Sequence, residues 1–249
     1  MNVYLTHDRA GQLVLLSQLL RGCIMSSGFR VLKRARQVSA EQVEGYRQVP
    51  VANVSDSMNR MTAGGVTLRP MHRSGVLAGP ALTVKSRPGD NLMVHYALDI
   101  AQPGDVIVVD AGGDLTNAII GELMVAYAIK KRLGGIVING AIRDATSIAA
   151  GDFPVFAAGI THRGPYKDGP GEINVPIAIN GMVIEPGDMI VGDDDGLLSI
   201  PFDEVDSVLN KASAKHAAET QQLLDIAEGN SDRSWVINSL KQKGCALPE

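Results

Sequence analysis

Two short segments of this 249-residue chain carry residue types that can do chemistry together. One is Gly121-Glu122-Leu123-Met124. The other is Arg143-Asp144, which follows Glu122 after twenty intervening residues. Glu122 and Asp144 are hard oxygen ligands, apt for Mg²⁺ or Mn²⁺ with several waters retained. Arg143 offers a planar fork that matches a carboxylate. A helix beginning at Glu122 presents unpaired N–H groups and the positive end of its dipole. The combination suits a small anionic substrate beside a hard cation. On spacing alone, an Arg–Asp pair bracing a loop accounts for the same residues equally well.

The elements around these segments decide whether they meet. Residues 106–110 form a continuous apolar run of the buried-strand type. A helix is expected around 121–132, then Gly134-Gly135, then a strand over 136–140. The helix rises about 16 Å at 1.5 Å per residue. The strand returns about 16 Å at 3.3 Å per residue. The chain therefore comes back to the end it left, and Gly121-Glu122 and Arg143-Asp144 become neighbours. That end of a parallel strand–helix–strand unit is where ligands usually bind.

Elsewhere, Ser39 and Gln42 read as a capping box opening a helix to about Arg47. Ser55 reads as the cap of a short helix over 56–61. Residues 76–86 read as strands. Asp90 reads as the cap of a helix carrying Leu92, Met93, Tyr96 and Ala97 on one face. After Asp144, short strands are expected at 154–157, 175–180, 182–184, 189–191 and 197–200, with Pro-Gly and Asn-Gly turns between them. A long amphipathic helix follows over 203–228, and the tail beyond Gly229 reads as loosely held.

Other candidates for chemistry are weaker. Ala111-Gly112-Gly113 follows a strand but matches no phosphate-binding glycine motif, and Asp114 adds a negative charge. The bland account is a tight turn that needs φ > 0. Asp193-Asp194-Asp195 reads as a solvated turn. His95 reads as a packed or capping histidine. His162, Arg163 and Lys167 form a basic loop, solvated by default, that could gate a pocket or take a second carboxylate.

Composition removes several function classes. Apolar residues are 45% of the chain and charged residues 20%, which is enough for a core and excludes pervasive disorder. Net charge is −4 and aromatics are 4%, which argues against a nucleic-acid partner. Two cysteines near opposite ends make no disulfide framework. No apolar run reaches the roughly 20 residues of a membrane helix, so no membrane partner and a cytoplasmic location are expected. Residues 1–37 hold six basic residues against Asp8 alone. They read as a basic extension: a targeting arm, a dispensable arm, or the result of a start assigned too early with Met25 as the true one. The expected organisation is this extension, one domain over 38–230, and a tail over 231–249.

These segments resemble a known family. Gly121-Glu122-Leu123-Met124, the returning stretch from Gly135 to Arg143-Asp144, and Gly187-Asp188 with Gly192 to Gly196 look like the class II 4-hydroxy-4-methyl-2-oxoglutarate aldolases. The RraA regulators of ribonuclease activity share that family. Asp90-Asn91 and Val54-Ser55-Asp56 match as well, and the resemblance spans about residues 43–208. Its hallmark is an acidic residue, twenty residues, then Arg-Asp. Here the acid is Glu122 rather than aspartate.

The resemblance implies a single α/β domain of the β/β/α swivelling type, with a long C-terminal helix, in a homotrimer or a dimer of trimers. It implies a metal-dependent lyase that releases pyruvate from 4-hydroxy-2-oxo acids and decarboxylates oxaloacetate. Asp144 would be the protein ligand of a divalent metal. Arg143, with backbone N–H groups of Gly121, Glu122, Leu123 and Met124, would bind the pyruvyl end. Glu122 would move the proton. The Asp193–Asp195 loop would lie near a site, possibly a neighbouring subunit's. The alternative is a non-enzymatic, protein-binding regulator. A methyltransferase reading finds no SAM-binding glycine motif.

Overall fold

The computed structural model describes residues 27–61 and 67–248. Residues 1–26 of the basic extension, Met25 among them, lie outside the described residues. Helix α1 (Ala40–Arg47) opens on the expected capping box. The Ser39 hydroxyl accepts from Gln42 N–H, and the Gln42 side chain accepts from Ser39 N–H. Helix α2 corrects the expectation at Ser55. It runs over Val51–Ser57, so Ser55 lies inside it. Its cap comes from far along the chain: Asp193 Oδ2 accepts from Val51 N–H at 2.9 Å. A carboxylate supplied in three dimensions leaves no mark at the local sequence.

The central sheet carries the site. Strand β3 (Leu77–Ser86) runs parallel to β4 (Val106–Asp110), β4 to β6 (Gly135–Ile142), and β6 to β7 (Val155–Ile160). Helix α4 (Glu122–Lys130) crosses between β4 and β6, as the spacing predicts. Alternate residues of β4 enter separate cores. Val106 and Val108 pack on one face, Ile107 and Val109 on the other. Covering both faces makes a strand read as a continuous apolar run.

One face is covered by α3 (Leu92–Ile100), α4 and α5 (Ala145–Ala149). The other is covered by α1, α2, the hairpin β11 (Met189–Asp193) and β12 (Gly196–Ile200), the ribbon β9 (Ile177–Ile179) and β10 (Met182–Ile184), and the start of α6 (Val205–Ala227). Only Val205, Val208 and Ala212 of that long helix are buried. Helix α3 buries Met93, Val94, Ala97 and Leu98. Leu92 and Tyr96 are exposed, so the expected face was turned by about one residue.

Within residues 38–230, three short strands were not anticipated. Strand β5 (Ala118–Ile120) pairs in parallel with β6, and β8 (Gly171–Ile173) pairs with β3. The short β2 (Arg69–Pro70) edges the sheet against β7. Beyond Gly229 there is a further helix, α7 (Ser234–Gln242), with none of its residues buried.

The basic extension does not stand apart from the fold up to residue 37. Strand β1 (Phe29–Val31) pairs in parallel with β8. Arg30 meets Glu172 at 2.7 Å, and Arg34 meets Asp105 at 2.8 Å. The Arg34–Asp105 side chains are only 11% and 2% exposed. Breaking a buried pair from one side leaves an uncompensated charge, at about 3 kcal/mol. Arg34→Ala is therefore expected to lower Tm by about 6–12 °C, at 2–4 °C per kcal/mol for a domain of this size. A chain beginning at Gln37 should lose at least as much, whereas one beginning at Met25 keeps the pair. Scanning calorimetry checks this, and an unchanged Tm for Arg34→Ala would remove the extension from the folded unit.

Candidate active site

The two segments singled out in the sequence meet. Gly121 is the N-cap of α4, and Asp144 Oδ2 accepts from Glu122 N–H at 3.0 Å. Arg143 N–H donates to the Ile120 carbonyl at 3.0 Å, which holds the end of β6 against the end of β5. Arg143 Nε lies 3.7 Å from Asp144 Oδ2. Asp144 adopts φ 57°, ψ 36°, a left-handed conformation that Asp and Asn tolerate better than other side chains. Backbone outliers of this kind cluster at functional sites.

Gly121 is required by this closeness. A Cβ there would overlap Asp144 Oδ2 and stand 3.0 Å from Arg143 Cγ. The Gly121 backbone itself is extended and unstrained. Gly121→Ala should therefore displace both side chains with little change in fold. We expect turnover to fall by about tenfold or more, since misplacement near 1 Å can cost 10²-fold. Steady-state kinetics beside a thermal melt reads this; full turnover with an unchanged melt would show that the close approach is not needed.

A cavity of about 290 Å³ opens beside these residues. Its walls include Asn91, His95, Gly121, Leu123, Arg143, Asp144 and Lys167. Of the four segment residues, Gly121, Leu123 and Met124 line it; the Glu122 side chain is exposed and outside the lining. Glu122 N–H is engaged by Asp144, and the N–H groups of Met124 and Val125 donate to the Gly121 carbonyl. Leu123 N–H is the member of that first turn left for a ligand.

Three lining residues come from outside the two segments. His95 projects from α3. Burial, and then the Lys167 charge, hold its imidazole below the ordinary pKa, which favours the neutral ring. Lys167 comes from the basic loop after β7, whose default reading was solvated. Asn91, the N-cap of α3, is 2% exposed.

Asp90 joins the two walls these residues occupy. Its side chain is fully buried. Oδ1 accepts from Leu92 N–H at 3.0 Å at the start of α3. Oδ2 accepts from Asp168 and Gly169 N–H at 2.7 and 2.9 Å in the loop, with Arg87 at 3.3 Å. Asp90 thus supports the expected helix start and, in addition, fastens the loop. Asp193–Asp195 does not line the cavity. Asp193 caps α2 and accepts from Asp195 N–H in its own turn.

The donor set fits a weakly held hard cation. Asp144 Oδ1 accepts no hydrogen bond from the described residues, and its side chain is 36% exposed at the cavity. Among the described residues no group of three or more His, Cys, Asp or Glu could cage a metal. One carboxylate with a largely aqueous shell is a common arrangement for Mg²⁺. Among the same residues, no helix is long and apolar enough to cross a membrane.

The sequence profile of the RraA-like family, described as Aldolase/RraA, matches residues 51–198, which contain the whole cavity lining. This chain belongs to the RraA-like family. Its RraA-like fold is shared by solved structures. RraAS2 of Streptomyces coelicolor, described as an unusual member of the RNase ES inhibitor RraA family, is 26% identical with a TM-score of 0.66. That match covers 74% of this chain and 96% of RraAS2. The RNA-processing inhibitor RraA of Thermus is 28% identical with a TM-score of 0.56, over 61% of this chain and 92% of that one. A Halalkalibacterium halodurans relative, named as a candidate 4-hydroxy-4-methyl-2-oxoglutarate aldolase, is 41% identical over 83% of this chain and 97% of its own length. The RraA-like chain is thus similar to members described as enzymes and to members described as inhibitors.

Proposed function

We propose that this RraA-like protein is a divalent-metal-dependent aldolase. It cleaves 4-hydroxy-2-oxo acids such as 4-hydroxy-4-methyl-2-oxoglutarate, releases pyruvate, and also decarboxylates oxaloacetate. The observation that carries the reading is the meeting of Arg143, Asp144 and the start of α4 at one cavity.

Arg143 takes the carboxylate of the pyruvyl end through its guanidinium fork. Leu123 N–H and the α4 dipole add a second anchor for the same anionic end. Asp144 holds the divalent cation, which when bound supplies a Lewis acid for an enolate. Glu122, beginning α4, takes the C4-hydroxyl proton through water. The C3–C4 bond then breaks, its electron pair stays on C3, and C4 becomes a carbonyl. Protonation at C3 completes pyruvate; with 4-hydroxy-4-methyl-2-oxoglutarate the other product is also pyruvate. Loss of CO₂ from oxaloacetate leaves the same enolate, so no further residue is needed.

The reading includes a trimer or a dimer of trimers, supported by the exposed Leu123 and Tyr127 of α4 beside the cavity. A second reading, a protein-binding regulator, is favoured by the likeness to the two structures described as inhibitors. Incubation with 4-hydroxy-2-oxo acids or oxaloacetate, with Mg²⁺ or with EDTA, separates the two. Mg²⁺-dependent pyruvate is expected, and no pyruvate from any of them would leave the regulator reading.

A further inference from the structure

The backbone on both sides of Lys167 is pinned, while its charge is unanswered. Tyr166 N–H donates to the Gly89 carbonyl at 2.8 Å, and the Tyr166 carbonyl accepts from Asn91 N–H at 3.0 Å. On the other side, Asp90 Oδ2 accepts from Asp168 N–H at 2.7 Å. Lys167 between them lines the cavity with Arg143 and Asp144. Among the described residues its ammonium has no hydrogen bond and no ion pair. The adjoining acid, Asp168, lies 3.8 Å from Arg87 instead. The Lys167 charge is felt at the cavity wall, where it adds to burial in lowering the pKa of His95.

Arg143 reaches the same loop. A Cβ at Gly164 would stand 3.3 Å from Arg143 Nη1. The stretch from Gly164 to Lys167 spans at most about 10 Å, so one small molecule can touch both cations. Arg143, Asp144 and Lys167 are the charged residues of the lining, which leaves one positive charge in excess. A divalent cation on Asp144 raises that excess to three. A substrate with one carboxylate then leaves two charges unmatched, and a dicarboxylate leaves one. On the reading above Arg143 is occupied by the pyruvyl carboxylate. The Lys167 ammonium, with three donors and no acceptor, is left for a second anionic group.

We infer that Lys167 takes the C5 carboxylate of the substrate and selects dicarboxylic 4-hydroxy-2-oxo acids over monocarboxylic ones. The inference rests on the aldolase reading and adds a specificity-determining residue to it. Lys167 is exposed, so water screens the pair, and the effect belongs to the upper end of the range for exposed ion pairs. The pinned backbone favours the contact, because the ligand does not have to order the loop in order to make it.

The test uses two substrates that differ only at C5. One is 4-hydroxy-2-oxoglutarate; the other is 4-hydroxy-2-oxopentanoate, which carries a methyl group in place of the second carboxylate. Pyruvate release from each is measured with Mg²⁺ on the full chain, on Lys167→Met and on Lys167→Arg. The ratio of the two kcat/KM values cancels the amount of folded protein, and comparing it between variants cancels the intrinsic reactivity of the substrates. In Lys167→Met the ratio of glutarate to pentanoate is expected to fall at least fivefold, or about 1 kcal/mol. A smaller fall, including an equal loss on both substrates, overturns the inference. Lys167→Arg keeps the charge and should hold the ratio within about threefold of wild type; a ratio as low as that of Lys167→Met overturns a role through charge. If the wild type cleaves the glutarate and the ratio holds in Lys167→Met, only the role of Lys167 falls. If it cleaves neither substrate, the aldolase reading falls and takes this role with it.

Discussion

Asp144→Asn is expected to lower turnover by about 10³-fold or more, equivalent to roughly 4 kcal/mol of lost transition-state stabilisation. The substitution is close to isosteric, and Asn tolerates the left-handed backbone at φ 57° as Asp does. The amide oxygen can still accept from Glu122 N–H, so the turn between β6 and α5 should hold. What is lost is the charge facing the cavity, and a hard cation held by one carboxylate has no other protein charge to fall back on. Raising Mg²⁺ should restore little. Calorimetric titration of Mg²⁺ beside steady-state kinetics reads both halves. A variant that binds Mg²⁺ normally and turns over would move the cation elsewhere. Asp193 would be a poor refuge, since its two oxygens already serve Val51 and Asp195 N–H.

Arg143→Lys tests the other half of the division. The Arg143 backbone is held by the Ile120 carbonyl, so the substitution leaves the end of β6 in place. Lysine keeps the charge but replaces a planar fork with a point donor. The expected result is a fall in kcat/KM of about 10²-fold, or roughly 3 kcal/mol, with Mg²⁺ affinity within about threefold of wild type. A parallel loss of Mg²⁺ affinity would show that Arg143 and Asp144 act as one unit. No loss at all would assign the substrate carboxylate to Lys167.

The site was legible where it rests on lengths. The expected helix over 122–132 and strand over 136–140 each cover about 16 Å, so the chain returns to its starting end, and that arithmetic needs no partner information. The helix found has nine residues and the strand eight, with the same return. The capping box at Ser39 was legible for the same reason, since every atom it uses lies within four residues. What could not be read belongs to distant partners. Strands β5 and β8 have three residues each and exist because β6 and β3 lie beside them. The start of α2 depends on Asp193, 142 positions away. Asn91, His95 and Lys167 come to the cavity from two walls whose spacing in sequence has no structural period. Strand β1 was hidden in a stretch whose charge looked foreign to the rest. Arg30 and Arg34 were the signal there, because Glu172 and Asp105 are buried acids in need of partners.

The way Asp90 fastens the loop bears on how members of such a family could diverge. The clasp grips the loop through the N–H groups of Asp168 and Gly169. Any residue but proline supplies that group; glycine is favoured at Gly169, whose φ is 70°, but the other side chains of the loop are free to vary while its path stays put. Lys167 could be exchanged for a neutral or acidic residue, and the wall would still stand where it does. Inheritance can therefore rewrite what the pocket prefers one side chain at a time, without first finding a new way to hold the pocket together. Asp90 itself has no such latitude: a change there would release both walls at once, and lineages that differ in substrate should still agree at this one position.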